Sequence, residues 1–210
     1  MSDLVQTSIY DNIETMGLNV DMQSWSSSKS PIFQKLIDET KPKTIIEVGS
    51  WKGVSAINMA ELSTKYGAHL YCVDTWLGSL EHMLRSEERD YHWKTLHGYP
   101  LLYWQFLTNV KHSGYHSRIT PVPNTSLAVA PFLLSRGIKA DLIYIDGDHT
   151  EHGCFVDITV FRPLLRDANS VIFGDDYTNF PTVRAAVDRY AKENNLRVEV
   201  QEPHWILRKP

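Results

Sequence analysis

From residue 30 onward, short β-branched apolar runs alternate with longer stretches of helical periodicity. Thr44–Val48, Leu70–Val73, Leu142–Ile145 and Val171–Phe173 are almost continuously apolar, the pattern of strands buried on both faces. Arg118–Val122 is a weaker strand of the same kind, and Leu196–Val200 with Trp205–Leu207 reads as a closing antiparallel hairpin. Between them lie helices with recognisable ends. Ser30 before Pro31 is an N-cap followed by proline at the first helical position, and Lys41-Pro42 stops that helix. Further helices are expected from Val54 to Lys65, closed by Gly67, from Ser126 to Gly137, over 151–165, and from Pro181 to Asn194. Strands alternating with helices predict an α/β fold with a mostly parallel, seven-stranded sheet, helices on both faces and a C-terminal antiparallel hairpin.

The stretch from Trp76 to about Ser117 breaks this rhythm. It carries five histidines (82, 92, 97, 112 and 116) and a run of aromatics that includes Trp93 and Trp104. A strand-to-helix connection normally needs a handful of residues, so 76–112 reads as an insert. It leaves the carboxyl end of a strand, where ligands bind in open α/β sheets, which makes it a substrate lid. The plainer reading is a crossover helix over Pro100–Lys111 with a surface loop in front. Ser26–Ser28 is too short for a linker, so 1–210 is one domain with an N-terminal extension over 1–29.

Length and charge narrow the class. A chain of 210 residues buries roughly 70% of its unfolded surface and needs neither metal nor disulfide to fold. A net charge of −4 argues against nucleic acid or an anionic membrane as the main partner. No apolar run approaches the roughly 18 residues of a membrane span, and no signal peptide is visible, so a cytoplasmic location is expected. Cys72 and Cys154 stand alone in apolar settings, which is no disulfide framework.

The candidate chemistry gathers just after the strands. Glu47-Val-Gly-Ser-Trp-Lys-Gly53 runs from a strand through a glycine-bearing turn into a helix, whose free N–H groups suit a polar ligand. Trp51 occupies the position where the dinucleotide fingerprint needs its middle glycine. Asp74 ends the second strand, 25 residues past Gly49, where an acidic residue accepts ribose hydroxyls; alone it would read as a turn cap. Asp146-Gly-Asp-His149 and Asp175-Asp176 follow two later strands, and carboxylates converging there repel unless a cation or proton lies between them. Oxygen donors favour Mg²⁺, Ca²⁺ or Mn²⁺.

These four motifs resemble the class I S-adenosylmethionine (SAM) methyltransferases, a Rossmann-like doubly wound fold. More closely they resemble the metal-dependent O-methyltransferases, the catechol and caffeoyl-CoA enzymes, and nearer still the macrolide-sugar enzymes. The likeness covers about residues 30–210. It implies that Glu47, Gly49, Ser50 and Gly53 line the methionine end of SAM and that Asp74 holds the ribose. Asn124, Thr125 and Ser126 would contact adenine. Asp146, Asp175 and Asp176 would ligate Mg²⁺ or Mn²⁺, and His149 would be the general base beside Asp146. Asp at position 176, where catechol-type enzymes have Asn, leans toward the sugar enzymes. The acceptor would be a hydroxyl of a small molecule, a sugar or other vicinal diol rather than a phenol. Relatives of this kind are often dimers or larger, so a homo-oligomer is expected. The rivals are a non-catalytic SAM-binding module, which needs no His at position 149, and a nicotinamide-dependent oxidoreductase, which Trp51 disfavours.

Overall fold

Apolar runs at the spacing above fold into one continuous sheet. The computed structural model describes residues 7–11, 13, 17–24, 30–79, 84, 95–96 and 98–210. Its strands are β1 (Thr44–Val48), β2 (His69–Asp74), β3 (Ile119–Pro123), β4 (Leu142–Ile145), β5 (Val171–Gly174), β6 (Arg197–Gln201) and β7 (His204–Arg208). They lie in the order β3-β2-β1-β4-β5-β7-β6. The first five are mutually parallel, and β7 runs antiparallel to both β5 and β6. A two-residue ribbon pairs Thr95–Leu96 with Tyr99–Pro100 outside this sheet.

Among the described residues, six α-helices cover the sheet: α1 (Pro31–Thr40), α2 (Val54–Leu62), α3 (Leu102–Ser113), α4 (Ser126–Ser135), α5 (Glu151–Phe161) and α6 (Pro181–Glu193). Strand parity sorts the core into two layers. Ile45, Leu70, Cys72, Tyr144 and Phe173 pack with α1, α2 and α3, while Ile46, Val48, Tyr71, Val73, Ile143 and Ile172 pack with α4, α5 and α6. Cys72 and Cys154 are therefore buried on opposite faces.

Element identities follow the sequence pattern, and the differences lie at the ends. α2 stops at Leu62 and is followed by a 3₁₀ turn over Thr64–Tyr66; α5 stops at Phe161 and passes into another 3₁₀ turn, Arg162–Leu164, where Pro163 cannot continue the α-helical ladder. Ser30 holds the N-cap position of α1, yet its hydroxyl makes no capping bond.

The crossover reading of the insert is correct for its second half. α3 buries Leu102, Phe106, Leu107 and Val110 in the core, as an ordinary β2-to-β3 connection would. Trp93 and the histidines at 82, 92 and 97 lie outside the described residues, as does Ser26–Ser28. No helix among the described residues is long and apolar enough to cross a membrane.

In register, Val48 sits beside Val73 and Ile145, Asp74 beside Pro123, and Ile145 beside Gly174. Five strand ends thus open along one edge. The chain leaves β1 toward β2 on one side and later returns to β4 on the other, so this edge contains a topological switch point.

Candidate active site

The turn after β1 is shaped by one close crossing. Gly49 has φ +84°, and a Cβ there would lie 2.0 Å from the Asp146 carbonyl oxygen, so only glycine lets the β1 turn pass the β4 loop. Glu47 follows the parity of Ile45 and Cys72 and points into the α1–α3 layer rather than the cleft. It is fully buried, accepting hydroxyl bonds from Ser50 (2.6 Å) and Ser55 (2.5 Å). Burial lifts its carboxyl to about 7, against the pull of those two bonds. Glu47 does not line the cleft, and its place at the methionine end is corrected to that of an internal brace for the turn. Gly53 is corrected likewise: a Cβ there would come 2.9 Å from the Phe106 ring, so this glycine admits α3, not a ligand.

Asp74 ends β2 beneath the same turn. Its Oδ2 accepts the backbone N–H groups of Ser50 (2.9 Å) and Trp51 (2.8 Å), and its Oδ1 that of Trp76 (2.8 Å). Burial raises its pKa while these N–H bonds oppose the rise. Trp51 and Trp76 both hold positive φ, +42° and +51°, which is unusual for bulky residues and is stabilised by this shared carboxylate. Asp74 therefore organises the turn as well as facing the cleft.

The cleft itself has a volume of about 820 Å³ and is lined by Gly49, Ser50 and Asp74, by Asn124, Thr125 and Ser126 after β3, and by Asp146, His149 and Asp176. At the β4–β5 end, one donor atom each from Asp146, His149 and Asp176 lies within 4.8 Å of the others. His149 Nε2 is 3.0 Å from Asp176 Oδ2, its ring stacks on Phe180 with centroids 4.3 Å apart, and its carbonyl accepts the Thr182 hydroxyl. Asp176, at φ +67°, is pushed up by burial but held below the usual carboxylate range by its bonds with His149 and Asn179. Asp146 is driven far above that range, first by burial and then by the charges of Asp175 and Asp176. Carboxylates in this condition call for a cation or a shared proton.

Asp175 stands one layer behind. It is 4% exposed, its Oδ2 accepts the Tyr144 hydroxyl at 3.3 Å, and its Oδ1 accepts the Asp176 backbone N–H at 2.8 Å. The same Tyr144 hydroxyl lies 3.0 Å from Asp146 Oδ2. The sequence grouped Asp146, Asp175 and Asp176; the fold brings His149 to the front and leaves Asp175 to steady its neighbours from below.

Three features escaped sequence reasoning. Thr150 caps α5, accepting Gly153 N–H at 3.0 Å. Trp104 packs on Tyr99 and Tyr103 rather than lining the cleft. Residues 17–24 of the N-terminal extension run along α3 to the cleft, where Ser24 joins the lining. The Asn109 side chain brackets the backbone of Asp21, accepting its N–H (3.0 Å) and donating to its carbonyl (2.7 Å), and Gln105 donates to the Asn19 carbonyl. Lys52, 1% exposed, reaches Asp21 (2.7 Å) and Gln23 (2.8 Å). Two buried amides on an otherwise apolar helix face, Gln105 and Asn109, are the sequence signal of this docking.

Comparison with known proteins agrees with this arrangement. The sequence profile described as a methyltransferase domain matches residues 46–177, well over half of the chain. The chain belongs to the methyltransferase-domain family. No curated protein matches this methyltransferase in sequence. Solved structures share its fold at low identity. An O-methyltransferase from Bacillus cereus, in complex with S-adenosylhomocysteine (SAH), superposes with TM-score 0.61 at 15% identity over 95% of this chain and 89% of its own. The O-methyltransferase TomG from Streptomyces achromogenes, in complex with SAM, gives 0.60 at 13% over 100% and 91%. CalS11, a TDP-rhamnose 3'-O-methyltransferase of calicheamicin biosynthesis, gives 0.61 at 16% over 96% and 85%. The fold is that of the class I SAM-dependent methyltransferases.

Proposed function

We propose that this methyltransferase moves the methyl group of SAM to a hydroxyl of a small molecule bearing two adjacent oxygens, a sugar or other vicinal diol rather than a phenol, with Mg²⁺ or Mn²⁺ at the acidic end of the cleft. The observation that carries the reading is the convergence of Asp146, His149 and Asp176 at one end of a cleft whose other walls suit a nucleoside. The likeness to CalS11, a TDP-rhamnose 3'-O-methyltransferase, supports the acceptor class.

The donor set fits a hard divalent cation. Two carboxylates suffice for Mg²⁺, which keeps its remaining positions for water and substrate oxygens. Asp146 and Asp176 would hold it, and when bound it would lower the pKa of a neighbouring hydroxyl. His149 takes the hydroxyl proton, and the Asp176 carboxylate 3.0 Å from Nε2 stabilises the resulting imidazolium. Stacking on Phe180 fixes the imidazole plane for that transfer. Ser50 and the Gly49 turn position the cofactor, and Asp74 accepts a ribose hydroxyl on Oδ1, the oxygen that takes one of the three turn N–H bonds where Oδ2 takes two. Alignment of the two reactants in one cleft supplies much of the acceleration.

Incubation with methyl-labelled SAM and a panel of sugars, catechols and simple alcohols tests the assignment. Label recovered as an O-methyl group on a vicinal diol is expected. Label on nitrogen, or equal label on simple alcohols, would overturn it.

A further inference from the structure

A buried charge ties the N-terminal segment to the turn between β1 and α2. Lys52 sits in that turn, lines the cleft and is 1% exposed. A buried ammonium is costly unless it is paired. Two oxygens of the 17–24 segment pair it, Asp21 Oδ2 at 2.7 Å and Gln23 Oε1 at 2.8 Å. The ammonium also stands 4.6 Å from the centroid of the Trp51 ring. Asn109 makes the same junction from α3. Its Nδ2 donates to the Asp21 carbonyl at 2.7 Å and to the Lys52 carbonyl at 2.8 Å. Its Oδ1 accepts the Asp21 N–H at 3.0 Å and Gln105 Nε2 at 2.9 Å. One amide, with both donors and both acceptor sites filled, thus grips segment and turn together. The turn it grips is the one whose Ser50 and Trp51 N–H groups rest on Asp74. Neither Asp21 nor Gln23 lines the cleft, whereas the next residue, Ser24, does.

We propose that Lys52 and Asp21 form a positioning pair that couples docking of residues 17–24 to occupancy of the cleft by the cofactor. The proposal rests on the reading that SAM binds this cleft. A cofactor seated on the Gly49–Gly53 turn fixes the backbone from which the Lys52 side chain and carbonyl project, and so holds the segment's partners in place. A docked segment in turn holds Lys52, and with it the turn, in the geometry that presents Ser50 to the cleft. Such coupling is reciprocal, so each event favours the other by the same factor. The Asp21 carboxylate thereby influences the cofactor without touching it.

Hydrogen exchange on the full chain with and without SAH, and calorimetry and thermal melts on the wild type, Asp21→Asn, Lys52→Met and the double variant, test this. SAH should slow exchange over 17–24 by at least about fivefold in the wild type, and should not do so in Lys52→Met. Asp21→Asn keeps an oxygen for the Gln23 N–H and removes the charge that pairs Lys52. It should weaken SAH about tenfold, as should Lys52→Met, and the double variant should lose no more than either alone. A pair that only braced the fold would lower the melting temperature and leave SAH affinity unchanged. Wild-type SAH affinity in Asp21→Asn, losses that add in the double variant, or exchange over 17–24 that SAH does not alter in the wild type would each overturn the coupling while the cofactor reading stands. A wild type that binds no SAH would overturn the cofactor reading itself, and the coupling with it.

Discussion

Replacing Glu47 with glutamine isolates the cost of a buried carboxylate under the cofactor turn. Glu47 is fully buried and held by the Ser50 and Ser55 hydroxyls, and burial lifts its carboxyl from 4.5 to about 7. The folded-state pKa is the higher one, so folding takes up a proton, and stability from this group is complete below about pH 4.5 and lost as pH rises through about 7. At 1.36 kcal/mol per pKa unit, the full loss is about 3 kcal/mol. Between pH 5 and pH 8 the wild type should therefore lose about 2.5 kcal/mol that Glu47→Gln does not lose. Glutamine keeps the shape and can bond both hydroxyls, so the variant should fold. Urea unfolding of both proteins at several pH values measures the difference directly, and the remaining carboxyls, common to both, cancel from it. Parallel stability curves for the two proteins would refute the buried-acid account of the turn.

Asp74→Ala removes the acceptor for three backbone N–H groups as well as for ribose, so SAH should bind about 10- to 150-fold more weakly and the fold should lose about 1.5–3 kcal/mol; an unchanged unfolding midpoint would exclude the turn role. His149→Gln should lower kcat by about 10²–10⁴ and flatten the acidic limb of the pH–rate profile, with SAH affinity near that of the wild type. A retained limb would mean that another group takes the proton. Trp104→Ala should reduce stability by about 1–3 kcal/mol through its contacts with Tyr99 and Tyr103, and leave the acceptor KM unchanged in steady-state kinetics.

The parallel sheet was legible because strands buried on both faces are near-continuously apolar, as Leu142–Ile145 and Val171–Gly174 are and as Thr44–Val48 is but for Thr44 and Glu47. The motifs at their ends also marked the right edge of the sheet. Which side chain at that edge meets the cleft was less legible. Glu47 sits on a strand, where parity sends it into the α1–α3 layer, while Ser50, three residues later on the turn, reaches the cleft. Asp175 and Asp176 are adjacent, and the positive φ of Asp176 turns one outward while Asp175 stays buried under Tyr144. His149 joins the acidic cluster because its ring lies against Phe180, 31 positions on, a contact no local spacing encodes. The 17–24 segment was opaque for the same reason, since its anchors Gln105 and Asn109 lie more than 80 residues away.

The central claim is that an acidic cleft end holding a divalent cation activates a hydroxyl for methylation by SAM. Transfer from methyl-labelled SAM to a diol, followed during chelation and metal return, tests it most directly. Loss of O-methyl product in chelator, recovery with Mg²⁺ or Mn²⁺, and no recovery in Asp146→Asn, with SAH still bound by that variant, is the predicted result. Full transfer in chelator, at the rate seen with Mg²⁺, would contradict it.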